Sequence, residues 1–487
     1  LSGGPLALKT EEGGFRIKGD AALAGRPTTL EWHQFFESAG HPYSMKINAR
    51  VNADKELRNH FGVNLDEYIS GTIPVDVVYT DKGDKTQSIE VNGDITPARI
   101  YIEPFKFEKK SGEPGTIKAS GRLADNVLKE LSGVTLSSQN LSVSNATIKF
   151  ASMNGKNADL SSGTLPDAKI GKTKMAVTFE VDKSNVMRVK AKGPVFDLAP
   201  FLGETESSDM GLEAQAPKEK QQAMAIAMSA DTMLADNGQS VGHAKTYMET
   251  DTDGDITRLE MDGGVGKGAL FVRFRPDQGG KRTFRLETDD AGAVLYTFGL
   301  YDNVHGGSLV IFGEPKGGDL RGDLFGTMRM ENFRVVKAPA LASLLSLMSL
   351  SGVGQLLSNQ GLVFSKLESE FEWRFRPTGN LLIIKDGKTS GSSIGLTFEG
   401  VVDRGKKTTD VSGTIIPMTE INSIIAKIPL LGNILGGETG LIAATYTMKG
   451  PSGNPSVMVN PLSVLAPGFL RNILFEGGYK SKIPDDP

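Results

Sequence analysis

A chain of 487 residues can bury a large core, and that length fits two to four domains or one elongated array. Its 54 basic and 58 acidic residues leave a formal net charge of −4 without long blocks of one sign. No basic stripe of the kind that grips nucleic acid is present, and the absence of cysteine excludes disulfides, thiolate metal sites and cysteine nucleophiles.

The 58 glycines and 23 prolines imply many turns and lean toward β structure. Leu1 opens in apparently structured chain with neither an initiator Met nor a signal peptide, so the sequence reads as a piece of a longer protein. The nearest approach to a membrane span, Ala338 to Ser365, is interrupted by serines, glycines, Asn359 and Gln360, and reads as an apolar helix packed on something.

In chain order, the first predicted helix is Asp54 to Phe61. A strand follows, in which Ile73, Val75, Val77 and Tyr79 take one face. Ala124 to Leu131 reads as a second helix, and Met175, Val177, Phe179 and Val181 mark another strand. Glu204 to Gln222 is polar and charged, which suggests a flexible linker between segments 1–203 and 223–487. Leu341, Leu344, Leu345 and Met348 fall at helical spacing within Ala340 to Leu350. Phe371, Trp373 and Phe375 then alternate with Glu372, Arg374 and Arg376. Ile421, Ile424, Ile425 and Ile428 mark a last apolar helix within Glu420 to Ile428. Turns are expected at Asn92-Gly93, Asn154-Gly155, Asp253-Gly254 and Asp386-Gly387. The result is a mainly β chain, mostly antiparallel sheet built from hairpins, with a few short helices.

The last two helices belong to an internal repeat. A Gly-Thr pair opens a strand at Gly326-Thr327 and again at Gly413-Thr414; an apolar helix and a returning strand follow each time, with a period of roughly 80 residues. Repeats of this kind imply stacked units, each covering its neighbour.

No catalytic constellation emerges. GSSIG (Gly391 to Gly395) matches the pattern of a nucleophile elbow around Ser393, but a strand rather than a helix is expected after it, and no histidine follows. Asp251, Asp253 and Asp255 resemble a calcium loop whose sixth position is Ile256 instead of Gly. GGVGKG (Gly263 to Gly268) lacks the Ser or Thr that would hold magnesium. His33, His41, His60, His243 and His305 are dispersed and show no ligand spacing. Neither a cofactor nor a metal is therefore expected.

What remains is apolar surface. Alternation gives each sheet one greasy face, which either closes into a core under the helices or stays partly open as a trough for acyl chains, and pattern alone does not separate the two. From Gly450 to Leu470 no residue is charged, and Leu462, Leu465, Phe469, Leu470, Ile473 and Leu474 make an apolar run near the C-terminal end.

AKGPVFDLAPFL (Ala191 to Leu202), ETDDAGAVLYTFGLYDNVHGGSL (Glu287 to Leu309), IPLLGNILGG, GLIAATYTMKG and NPLSVLAPGFLRNI together resemble the C-terminal part of the AsmA-like family, in its YhdP-like branch, which is also related to TamB. LRNHFGVNLDEYISGTIPVDVVYT (Leu57 to Thr80) resembles the region that precedes it in the same branch, so the likeness covers most of the chain. The resemblance implies an elongated, curved antiparallel β-groove of the bridge-like lipid transfer kind. It would be anchored by an inner-membrane helix absent from this chain and would conduct phospholipids across the Gram-negative periplasm to the outer membrane. Its partners would be phospholipids, the two membranes and envelope proteins, with no enzymatic step. Leu341, Leu344, Leu345, Met348, Ile421, Ile424, Ile425, Ile428 and Leu431 would then line or plug the trough, and the run from Leu462 to Leu474 would form a membrane-proximal end.

Two other classes stay open. An outer-membrane protein assembly factor would pair client strands with exposed sheet edges. A secreted β-rich hydrolase would need a polar cleft with convergent carboxylates.

Overall fold

The computed structural model describes residues 2–37, 40–61, 63, 65–125, 127–153, 158–202, 220–320, 322–347, 357, 360–376, 379–417 and 444–460. The protein is mainly β, with a few short helices at Lys55–His60, Ala199–Leu202, Ala291–Thr297 and Pro339–Leu347. Its described residues fall into two compact units, one within Leu1–Phe201 and Met224–Leu234, the other within Leu202–Ala223 and Ala235–Pro487.

In the first unit, the strands from Leu6–Glu11 to Met187–Asp197, apart from Ile69–Ser70, Arg99–Ile102 and Phe107–Lys109, pair with their neighbours in chain order as an antiparallel ladder. Met224–Leu234 then joins Met187–Asp197 in parallel. Among the described residues no pairing links this last strand back to Leu6–Glu11, so the sheet is open and not a barrel. The strand Met224–Leu234 thus belongs to the first unit although it follows the polar segment 204–222, of which residues 204–219 lie outside the described residues.

A second, three-stranded sheet of Ile69–Ser70, Arg99–Ile102 and Phe107–Lys109 packs on one end of the large sheet's apolar face. Ile95, Ala98 and Ile100 are buried there against Ile73 and Leu141, with Val75, Ile117, Leu136 and Ile170 around them. The helix Lys55–His60 begins where expected: the Asp54 carboxylate accepts the Leu57 N–H at 2.9 Å and caps it. Arg58, buried, donates to the carbonyls of Ala53 (3.1 Å), Gly71 (3.0 Å) and Ile69 (3.3 Å) and so ties helix, sheet and small sheet together.

The second unit is also an open antiparallel ladder, running from Ser240–Thr250 to Ser456–Val459. Leu309, Met330, Phe333, Phe364, Ile394 and Ile415 form its main core with Leu344, Leu345 and Leu357. Both repeat copies appear as paired strands: Leu324–Val335 with Leu362–Arg374, and Thr408–Pro417 with Ala444–Pro451. An aromatic ring faces the glycine each time, Phe371 across from Gly326 and Tyr446 across from Gly413. The segment between the second pair lies outside the described residues.

Three local expectations are corrected. Ala124 to Leu131 is not a helix: Ala124 pairs with Val127, Leu123 with Leu128, and Asp125 takes a positive φ of 50° at the reversal. The helical spacing of its apolar residues was outcompeted by the ladder on both sides. Asn92-Gly93 lies inside the strand Thr86–Asp94, where Ile73, Val75 and Ile117 enclose Gly93 so tightly that only hydrogen fits. Asp386-Gly387 lies inside Leu381–Gly391 as a bulge, with Asp386 at φ 47°. Asp253-Gly254 is a turn as expected, and Asn154-Gly155 lies outside the described residues.

Candidate functional site

Cross-strand register arranges the side chains of the first unit into rows. One row runs through Leu8, Ile17, Trp32, Ile47, Tyr79 and Ile89. It continues through Gly121, Leu131, Ile148, Gly163, Phe179, Val189 and Ile226. Every strand of the ladder contributes one residue, and each is apolar, aromatic or glycine.

The register-adjacent row, whose side chains point the other way, runs through Lys9, Arg16, His33, Lys46, Thr80 and Ser88. It goes on through Arg122, Glu130, Lys149, Ser162, Glu180 and Arg188. All of these are polar; on the last strand the row ends at Ala225, so the sheet is amphipathic from Leu6–Glu11 to Met187–Asp197. Most residues of the apolar row are only half-buried, because the small sheet covers the rows nearer Ile73 and stops short of it.

The second unit repeats the arrangement. Met248, Leu259, Phe274, Phe284, Gly313 and Gly326 form one cross-strand row that continues through Phe371, Ile384, Gly400, Val411, Met448 and Val457. On the other face Glu260, Arg273, Arg285, Thr327, Glu370 and Lys385 follow one another, with Phe312 as the apolar exception. Ion pairs two residues apart on single strands, such as Arg258 with Glu260 at 2.7 Å, neutralise that face locally.

The alternation expected at Phe371 holds, but the opposite face is not wet there. Glu372 is 5% exposed beside Leu381, Ile383 and Val401, and its charge is met by Arg374 Nε at 2.5 Å and Lys385 Nζ at 3.3 Å.

The helix expected at Ala340 to Leu350 is described as Pro339–Leu347. Leu344 and Leu345 are fully buried against the core, Leu341 packs beside them half-buried, and Leu347 is exposed. This helix therefore covers the row that carries Leu309, Met330, Ile415 and Ala444. Met348, Ile421, Ile424, Ile425, Ile428 and Leu431 lie outside the described residues, as do Leu462, Leu465, Phe469, Leu470, Ile473 and Leu474.

The motifs with a chemical alternative are turns. Ser393 sits between the strands Leu381–Gly391 and Ile394–Asp403, with no helix after it. The Asp251 carboxylate accepts the N–H groups of Asp253 (3.0 Å) and Asp255 (2.9 Å) and so closes its own loop. In the glycine-rich turn at Gly263 to Gly268, the Lys267 N–H is taken by Asp290 at 3.2 Å and the neighbouring Ala269 N–H by Asp289 at 2.6 Å. Those carboxylates would repel a phosphate. His33 and His41, which show no ligand spacing in the sequence, converge on Phe35: His41 stacks on its ring at 3.7 Å, and His33 Nδ1 lies 2.8 Å from the Tyr43 hydroxyl. Among the described residues no group of three His, Cys, Asp or Glu is placed to hold a metal ion, and no helix is long and apolar enough to cross a membrane.

Burial shifts several ionisable groups beside these faces, Lys109 and Tyr446 among them. The Lys109 ammonium, 1% exposed in the small sheet, is pushed below its ordinary pKa by desolvation while it donates to the carbonyls of Ala98 and Lys110. The Tyr446 phenol is pushed up by burial and donates to the Thr397 carbonyl at 2.8 Å.

Period-two alternation was the sequence signal for these rows, but it identifies residues strand by strand and says nothing of which residues meet across the ladder. Comparison with protein-family models, curated proteins and solved structures finds no match.

Proposed function

We propose that this chain is a non-enzymatic conduit for phospholipids, whose acyl chains move along the apolar face of each unit's sheet, in the periplasm between the inner and outer membranes. The observation that carries the reading is the cross-strand row from Leu8 to Ile226, apolar at every strand and backed on all but the last strand by a polar row on the other face. A buried core needs an apolar face, but it does not need one that runs half-covered across the whole sheet.

An acyl chain leaving such a track for water loses about 0.8 kcal/mol for each CH₂ exposed. A continuous row removes that step between neighbouring strands. The resemblance to the AsmA-like family supports the same substrate and compartment.

The test is native mass spectrometry with lipid extraction on the chain purified without detergent from a bacterial envelope. Phospholipid is expected to co-purify and to fall when Tyr79 and Ile89 are both changed to Glu. Thr80→Glu, on the polar row, is expected to leave it unchanged. Co-purified polypeptide without lipid would favour the assembly-factor reading instead.

A further inference from the structure

The helix Ala291–Thr297 lies on the apolar face of the second unit, where Ala291 and Leu295 are buried in the main core with Val304, Leu309 and Met330. Its start is fixed at one end of the sheet. There the Ala291 and Gly292 N–H groups donate to the carbonyls of Gly307 (2.6 Å) and Gly306 (3.0 Å), next to Val304, which pairs with Val335. Its far end is held from elsewhere. Arg404, in the turn after Ile394–Asp403, donates from Nη1 to the Gly299 carbonyl at 3.3 Å and sets its guanidinium 5.9 Å from the centre of the Trp373 ring.

Trp373 stands two residues from Phe371 on the strand Leu362–Arg374 and so shares its apolar face. On the neighbouring strand Leu324–Val335, Val335 marks the start of the helix, Gly326 pairs with Phe371, and Leu324 pairs with Trp373. The chain from Ala291 to Gly299 therefore passes from one side of the Gly326–Phe371 row to the other, as a strap over the apolar face. Its two ends are unlike. The helix start is buried, whereas Leu300 and Tyr301, just past Gly299, are 38% and 45% exposed. Gly299 at the outer end and Gly306 and Gly307 beside the anchored end take φ of 62°, 64° and 80°, a left-handed backbone that gives the segment pivots at both ends. A hydrogen bond and a cation–π contact at the surface are weak, and water can replace both.

We propose that this strap is a latch over the second unit's acyl track. Arg404 holds it down, and it lifts at Gly299 to let an acyl chain pass beneath, along the Gly326–Phe371 row. The proposal rests on the lipid-conduit reading and deepens it by naming the element that limits passage. Trp373 lies directly under the catch, so an acyl chain that enters beneath the strap comes into contact with its indole.

Trp32 and Trp373 are the chain's two tryptophans. In the full chain carrying Trp32→Phe, quenching of Trp373 fluorescence by vesicles of phosphatidylcholine with brominated acyl chains reads the arrival of lipid beneath the strap. Adding Arg404→Ala is expected to speed the quenching about two- to fivefold. Because the chain has no cysteine, Leu300→Cys and Arg404→Cys can be joined by a short bis-maleimide that a reductant cleaves. Quenching should be slow while the link is intact and fast once it is cut. Equal rates before and after cleavage, or no acceleration by Arg404→Ala, overturn the latch. Lipid that binds the chain in native mass spectrometry without quenching Trp373 also overturns it and leaves the conduit reading to the first unit. Binding of no lipid overturns the conduit reading itself.

Discussion

Gly163 pairs with Phe179 across the first unit's ladder, and the phenyl ring occupies the space that a side chain at position 163 would need. At this point of the apolar row a large ring fills the space above bare backbone. Gly163→Ala is expected to destabilise the chain by about 1–3 kcal/mol through overpacking. Phe179→Leu in the same chain should recover part of that loss. Urea unfolding of the two single variants and the double variant measures the coupling.

Leu345 is fully buried in the core beneath the helix Pro339–Leu347, while Leu347 on the same helix is 55% exposed. Leu345→Ala should cost about 2–5 kcal/mol. Leu347→Ala should stay within about 0.5 kcal/mol of the unaltered chain. Equal effects at both positions in denaturant titrations would mean that the helix is not seated on the sheet by its Leu345 side.

Asp54 is held below its ordinary pKa of 3.8, first by the Leu57 N–H and then by Arg26. Its folded pKa lies below the unfolded one, so its contribution is present above the unfolded value and is lost as pH falls through the folded value. Asp54→Asn keeps a capping oxygen but removes the charge. The variant should melt below the unaltered chain at neutral pH, and the gap should close as pH falls below about 4. A gap that persists at lower pH in thermal melts would contradict the assignment.

Arg58 serves three carbonyls from a nearly fully buried position. Arg58→Met fills similar volume but leaves the acceptors of Ala53, Gly71 and Ile69 without their donor, at an expected loss of about 2–4 kcal/mol. Because those carbonyls flank the short helix and the small sheet, hydrogen exchange should accelerate at Ile69, Ile100 and Ile102 before it does so in the large ladder.

Elements with a strong local cause were legible in advance. Asp54 announces its helix because a carboxylate can cap the first turn unaided, and Met175 to Val181 announce a strand because each residue's face follows from the one before. Asn92-Gly93 and Asp386-Gly387 misled because their turn chemistry is equally suited to close packing or a bulge inside a strand. Of the helical candidates for the trough, Leu341, Leu344 and Leu345 can be placed, and they pack on the core row.

The sequence by itself determined that the chain is β-rich and which residues on each strand share a face. Those properties follow from neighbours a few residues apart. Only the tertiary structure decided that Tyr79, Ile89 and Gly121 stand side by side, and that Glu372 is buried with its charge paired. Each depends on register between strands, where a slip of one residue would turn every apolar side chain to the polar face. Register is set by the sum of many cross-strand contacts and bulges, and no single stretch of the chain encodes it.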